Sequence, residues 1–213
     1  MSTSIFSKVV IGLGLVLTLC SLTAHAESKV TLSDNFQYDG QTVLLDMEVG
    51  KAEMIATDET EIRVEVVVKA SDGNWLSFWS RADINDVNLA VVERDNKLIL
   101  KVDNQDGINQ EWRVYLPRGA ALEVDAGVGE VIVDGLTSSI DVDLGVGRAE
   151  IKHQNQYGNI ALESGVGEVS VSQNGQRQTV EQSLVSQSYH SQNSAHQEHL
   201  FVSVGVGEIS IAN

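Results

Sequence analysis

Carboxylates dominate the chemistry available to this chain of 213 residues. Thirty Asp and Glu stand against 14 Lys and Arg, a formal charge of −16 with neutral histidines. Asp125, Asp143 and Glu163 each lie two residues before a Gly-x-Gly pair, and Glu123 and Asp141 lie four before. Carboxylates that recur at one position can stand in solvent and repel, or supply oxygen ligands to a hard cation such as Ca2+. His190, His196 and His199 fall within ten residues, beside Glu198. Three such ligands suit tetrahedral Zn2+. The surrounding segment is rich in Ser and Gln, however, and His196 and His199 share a face only on a helix. The expectation is no cofactor, with Ca2+ at the carboxylates as the alternative. His153 stands alone and reads as a surface residue.

Other chemistries lack their parts. There is no Gly-x-Ser-x-Gly elbow, and the one cysteine, Cys20, lies in a segment expected to be removed. Thirty acids will always supply pairs for a glycosidase, so their abundance is no evidence for one. The Gly-x-Gly pairs are followed by strand-like runs, not by the helix that a dinucleotide fingerprint requires. Trp75, Phe78, Trp79 and Trp112 could stack on sugars or seal the end of a small core.

The charge also bounds the partners. Residues 1–26 read as a secretory leader: a polar start with Lys8, the apolar run Val9–Leu19, then Ala24-His25-Ala26 with small residues at the cleavage positions. Lipidation at Cys20 is the rival, but bulky Leu19 precedes it where a small residue is needed. Removing 1–26 leaves 13 basic against 30 acidic residues, a charge of −17. Such a surface repels phosphate backbones and anionic lipid, which excludes nucleic acid as a partner. No later stretch is apolar enough to span a bilayer.

The rest of the chain, 27–213, reads as a single β-repeat domain. Runs such as 41–49 and 61–69 alternate β-branched and polar residues. Segments 87–92 and 97–102 flank Glu93-Arg94-Asp95-Asn96 as a hairpin. Residues 27–119 are the less regular half, partly antiparallel. From residue 120 a unit repeats, with its first glycine at 127, 145, 165 and 205. The pairs are Gly127/Gly129, Gly145/Gly147, Gly165/Gly167 and Gly205/Gly207. The last step is twice 20 residues, which leaves room for a degenerate unit near 180–191. A weaker copy lies upstream at Val43–Met54, with Gly50 matching Gly147. Counted from the first glycine, positions −5, −3, +1, +4 and +6 are apolar in every complete unit. Val128, Val146, Val166 and Val206, at +1, are therefore expected inside.

Two half-buried strands meeting at a glycine corner would give this pattern. One unit cannot bury its own apolar face, but stacked copies can. The expected fold is all-β: a β-solenoid with Gly-x-Gly corners. An antiparallel roll in which each unit is a hairpin is the alternative. The step of 18 to 20 residues suits a full coil. Stacking also predicts a ladder of Glu130, Arg148 and Glu168.

Trp112-Arg113-Val114-Tyr115-Leu116-Pro117-Arg118-Gly119-Ala120 leads into Leu122-Glu123-Val124 and Gly127-Val128-Gly129-Glu130-Val131. This resembles a bacterial family of β-strand-repeat proteins called "putative adhesins", DUF4097, over about residues 40–213. Pro117 to Gly119 matches the family's Pro-x-Gly; Gly129-Glu130-Val131 lacks the family's spacer residue. The resemblance implies a secreted or membrane-attached β-solenoid-like protein with no shared catalytic residues.

The sequence thus reads as a non-enzymatic exported envelope or surface protein of a bacterium, periplasmic or secreted. It would act as scaffold or weak recognition surface toward an envelope protein or glycan. An edge-mediated homo-oligomer is open to it. The alternative is a carbohydrate-active enzyme or sugar-binding module using exposed Trp and paired carboxylates.

Overall fold

The computed structural model of the chain describes residues 29–71 and 84–213. The expected leader at 1–26, with Cys20, lies outside the described residues, as do Trp75, Phe78 and Trp79. Alternation of β-branched and polar residues makes the described chain almost entirely strand, in one mixed parallel and antiparallel sheet. In chain order the strands are β1 (Lys29–Gln37), β2 (Thr42–Thr57), β3 (Glu61–Ala70), β4 (Leu89–Arg94), β5 (Lys97–Val102) and β6 (Ile108–Pro117). The repeats follow as β7 (Leu122–Asp134), β8 (Ile140–Lys152) and β9 (Asn159–Gln173). Then come β10 (Gln176–Arg177), β11 (Glu181–Gln182), β12 (Gln187–Gln192) and β13 (His199–Ala212).

Each repeat is one unbroken strand that runs through its glycine pair, and the units lie parallel and in register. Gly50 of β2 aligns with Gly129, Gly129 with Gly147, Gly147 with Gly207 and Gly207 with Gly167. The upstream copy at 43–54 is therefore a full member of the stack. The order is β2-β7-β8-β13-β9: the last strand of the chain inserts between two earlier ones. Glu208 consequently lies between Arg148 and Glu168, which corrects the ladder expected from sequence order.

The glycines are required by how closely these backbones approach. A Cβ built on Gly129 would lie 1.7 Å from the carbonyl oxygen of Gly50, and one on Gly147 would lie 1.8 Å from that of Gly129. The second glycine of each pair also holds φ between 144° and 150°, where a side chain is strained. At this point the burial phase breaks. Leu122, Val124 and Ala126 point inward, then Val131 and Val133. Val128, Val146, Val166 and Val206 instead face solvent, between 45% and 49% exposed, and Val49 joins them at 39%. The expectation that they lie inside is wrong. They sit between two glycines at the phase break, so a period of two cannot be carried across it.

The two ends of the stack differ. At one end, β2 pairs along its first half with β5 and along its second half with β6, both parallel. Buried Gln110 spans the break: its Nε2 donates to Gln105 Oε1 at 2.7 Å, and its Oε1 accepts from Trp112 Nε1 at 2.8 Å. Trp112 is buried and serves the core. Beyond β6, β3 and β1 are antiparallel, and β4 forms a hairpin with β5. The hairpin turns at Asp95 and Asn96, both with positive φ, as a tight two-residue turn demands.

At the other end, residues 172–199 form a cap and not a further parallel unit. β12 pairs antiparallel with the first half of β9, and β11 with β12. The second half of β9 is met by backbone and side-chain groups: Gly167 N–H donates to Val185 O, and Val169 N–H to Gln187 Oε1. These groups cover the second half of β9, and the two-residue β11 ends the sheet on this side. The degenerate unit expected near 180–191 is corrected accordingly, because its Ser and Gln side chains cannot fill an interior.

His153 is not the surface residue expected: it is buried where β8 ends. Its ring packs edge-on against buried Tyr157, centroids 4.9 Å apart, and Nδ1 lies 3.0 Å from Asn155 O. Burial holds its pKa below the ordinary 6.5 and raises that of the Tyr157 phenol.

Two predictions follow from this packing. Gly147→Ala should lower unfolding free energy by about 4 kcal/mol or more in urea titration, since its neighbour is backbone that cannot yield. Gly119→Ala, with nothing within 4 Å of the added Cβ, should be within about 1 kcal/mol of the parent. For His153, the unfolded chain takes up a proton below the ordinary pKa while the folded chain resists it. Its contribution is therefore complete above about pH 6.5 and declines as pH falls toward the folded pKa. His153→Phe should make the urea midpoint fall less between about pH 7 and pH 5 than in the parent.

Candidate functional site: an acidic trough across the parallel strands

In-register stacking converts each repeat position into a column. On the outer face of the first halves, position −4 gives Leu44, Glu123, Asp141, Phe201 and Ala161 in stack order. Position −2 gives Asp46, Asp125, Asp143, Ser203 and Glu163. All of these except Asp46 line an open trough of about 560 Å3. Apolar floor patches come from Leu44, Phe201 and Ala161, and carboxylates stand around them.

The structure brings most of the singled-out groups to this face, but not as a metal centre. Asp125 and Asp143 are neighbours, while Ser203 separates Asp143 from Glu163 because β13 intervenes. Among the described residues, no group of three or more His, Cys, Asp or Glu is placed to hold a metal ion. His190 and His199 lie on β12 and β13, on opposite sides of β9. Two strand spacings, about 9.6 Å, separate those backbones. His196 sits in the connection before β13, where its backbone N–H donates to Asn193 O.

Partners at the margins offset part of the charge. Lys97 Nζ contacts Glu123 Oε2 at 2.5 Å, and His199 Nε2 lies 2.8 Å from Asp141 Oδ2. His190 Nε2 is 3.8 Å from Glu163 Oε1. The Phe201 ring stacks on His199, centroids 4.5 Å apart at 27°. Asp125 and Asp143 have no cationic partner among the described residues. The outer face of the second halves is different: there acid pairs with base, Lys51–Glu130 at 3.1 Å, Arg148–Glu208 at 2.6 Å and Arg177–Glu168 at 2.8 Å. There the hydrogen bond from Lys51, with Arg113 behind it, holds the Glu53 carboxyl below its usual range.

Phe201, Leu44 and Lys97 were missed as site residues in the sequence. The available signal was a phenylalanine at an outward repeat position where other units carry Glu123 and Asp141.

No helix among the described residues is long and apolar enough to cross a membrane. No family model matches the chain. No curated protein matches it either. Three crystal structures are similar to it at a distance. A "putative cell adhesion protein" from Clostridium sporogenes gives a TM-score of 0.47 at 14% identity, over 86% of this chain and 99% of that one. A "putative adhesin" from Parabacteroides merdae gives 0.32 at 12% identity, over 66% of this chain and 62% of that one. A "putative adhesin" from Bacteroides fragilis gives 0.23 at 10% identity, over 87% of this chain and 99% of that one.

The adjacent carboxylates make a direct prediction. Asp143→Asn should raise unfolding free energy by up to about 1 kcal/mol, because like charges directly opposite on neighbouring strands are destabilising. The gain should shrink in 1 M salt, where the screening length is about 3 Å.

Proposed function

We propose that the protein is a non-enzymatic, adhesin-like component of the bacterial envelope or cell surface, exported on residues 1–26. In this reading its parallel strands wind as a β-solenoid with corners at the Gly-x-Gly pairs, and its outer trough is a recognition surface. The winding is supported by the connection lengths. Residues 135–139 join the end of β7 to the start of β8, which pairs in register with the start of β7. A straight 13-residue strand would be about 43 Å long, whereas those residues reach only about 20 Å. The strand and its connection must therefore turn back on themselves.

One observation carries the recognition role: the trough combines an apolar ring, Phe201, with carboxylates spaced by the strand repeat. Carboxylates accept hydrogen bonds from hydroxyl groups, and an aromatic face packs against the apolar side of a sugar ring. Neutral glycans fit this surface; polyuronates meet charge repulsion from Asp125 and Asp143. The reading needs no metal or other cofactor, and it treats the carboxylates as ligand-binding groups and not as an acid–base pair.

A glycan-binding panel with neutral and uronate-rich oligosaccharides tests it. Binding should be confined to neutral glycans, fall at least about tenfold in Phe201→Ser, and leave the glycan uncleaved on prolonged incubation. Thermal midpoints in EDTA and in added Ca2+ should coincide. Release of shorter sugars, or no binding across the panel, would overturn the proposal.

A further inference from the structure

The phase break leaves an apolar feature on the outside that the recognition role does not use. Val49, Val128, Val146, Val206 and Val166 lie in successive register positions, forming a ridge along the stack. The cap extends it. Val185 is bonded through its carbonyl to the Gly167 N–H, next to Val166 in sequence, and is 62% exposed. Leu184 beside it is 99% exposed. Leu184 and Val185 form the tip of the β11–β12 hairpin, where polar residues or glycine are the rule. Neither has the positive φ of the favoured hairpin turns. A chain with 30 acidic residues thus places an aliphatic pair at a solvent-exposed tip, in line with an aliphatic ridge.

The flanks of the ridge differ in charge. On one side runs the column Asp46, Asp125, Asp143, Ser203, Glu163; on the other, Lys51, Glu130, Arg148, Glu208, Glu168, with Arg177 beside the last. We infer that the ridge is the interface of a homodimer, two copies packing ridge to ridge about a twofold axis parallel to the stack. Two arguments select a second copy as the occupant. The ridge repeats at the strand spacing of about 4.8 Å, and another ridge of this chain matches that repeat rung for rung. A twofold parallel to the ridge also sets Asp46 opposite the partner's Lys51 and Asp143 opposite the partner's Arg148, while Asp125 meets the partner's Glu130 and Glu163 meets its Glu168–Arg177 pair. A twofold perpendicular to it sets acid on acid. The interface is isologous and closes at two copies. It uses the middle of each strand and not a sheet edge.

Light scattering after size exclusion, across the micromolar range, tests this on the full chain. The wild type should reach dimer mass. Val146→Asp combined with Val206→Asp should weaken dimerisation at least about tenfold, with unchanged circular dichroism. Val146→Ser with Val206→Ser supplies the same readout if the charged pair fails to fold. In a Cys20→Ser background, Val166→Cys should form an intermolecular disulfide, since the parallel twofold brings each end rung to its own counterpart. A monomer at every concentration, or a dimer indifferent to both pairs of substitutions, overturns the interface. A ridge-dependent dimer in which Val166→Cys does not cross-link overturns the parallel twofold.

Discussion

Backbone meets backbone at the centre of this protein with no room for a side chain. Across the parallel strands the carbonyl oxygen of each glycine rung occupies the space where the next rung's Cβ would be, from Gly50 to Gly129, Gly147, Gly207 and Gly167. This contact fixes register. A strand that slipped by one residue would bring a valine Cβ against a neighbouring carbonyl and turn its apolar positions to solvent. The same glycines break the burial phase, so one strand buries odd positions before the pair and even positions after it. The outward valines are the direct consequence of that break, and the in-register stack lines up the mixed-sign ladder and the acidic trough on either side of it.

Strand order does as much as register. Because β13 enters between β8 and β9, Phe201 joins the trough floor and Ser203 interrupts the column of carboxylates. Glu208 reaches Arg148 for the same reason. A stack in sequence order would set Asp143 beside Glu163 and leave Phe201 at its end. The trough is therefore a product of topology, and the cap at 172–199 is what returns the chain for its last strand.

The repeat, its glycines and the upstream copy at 43–54 were legible because each shows as a spacing. The hairpin at 93–96 and the partly antiparallel first half were legible from turn residues and alternation. Strand order was not, since the units carry nearly the same apolar pattern and any of them satisfies the interior beside any other. Val128 and its equivalents were misplaced because periodicity was extended through a glycine pair that resets it. His153 looked like a surface residue because burial of a connection depends on packing that no local pattern encodes. Of the candidate site residues, Asp125, Asp143, Glu163, His190 and His199 do converge on one face. His196 does not, and the two converging histidines are kept apart by the width of β9.

The central claim, that the last strand lies in register between β8 and β9, is open to disulfide trapping in a Cys20→Ser background. Asp143 and Ser203 are direct partners across the β8–β13 ladder, whereas Glu163 is one strand further. Paired cysteines at 143 and 203 should close an intramolecular disulfide under mild oxidation, and cysteines at 143 and 163 should stay reduced. Closure of the 143–163 pair with the 143–203 pair left open would contradict the strand order, and with it the trough and the charge ladder built upon it.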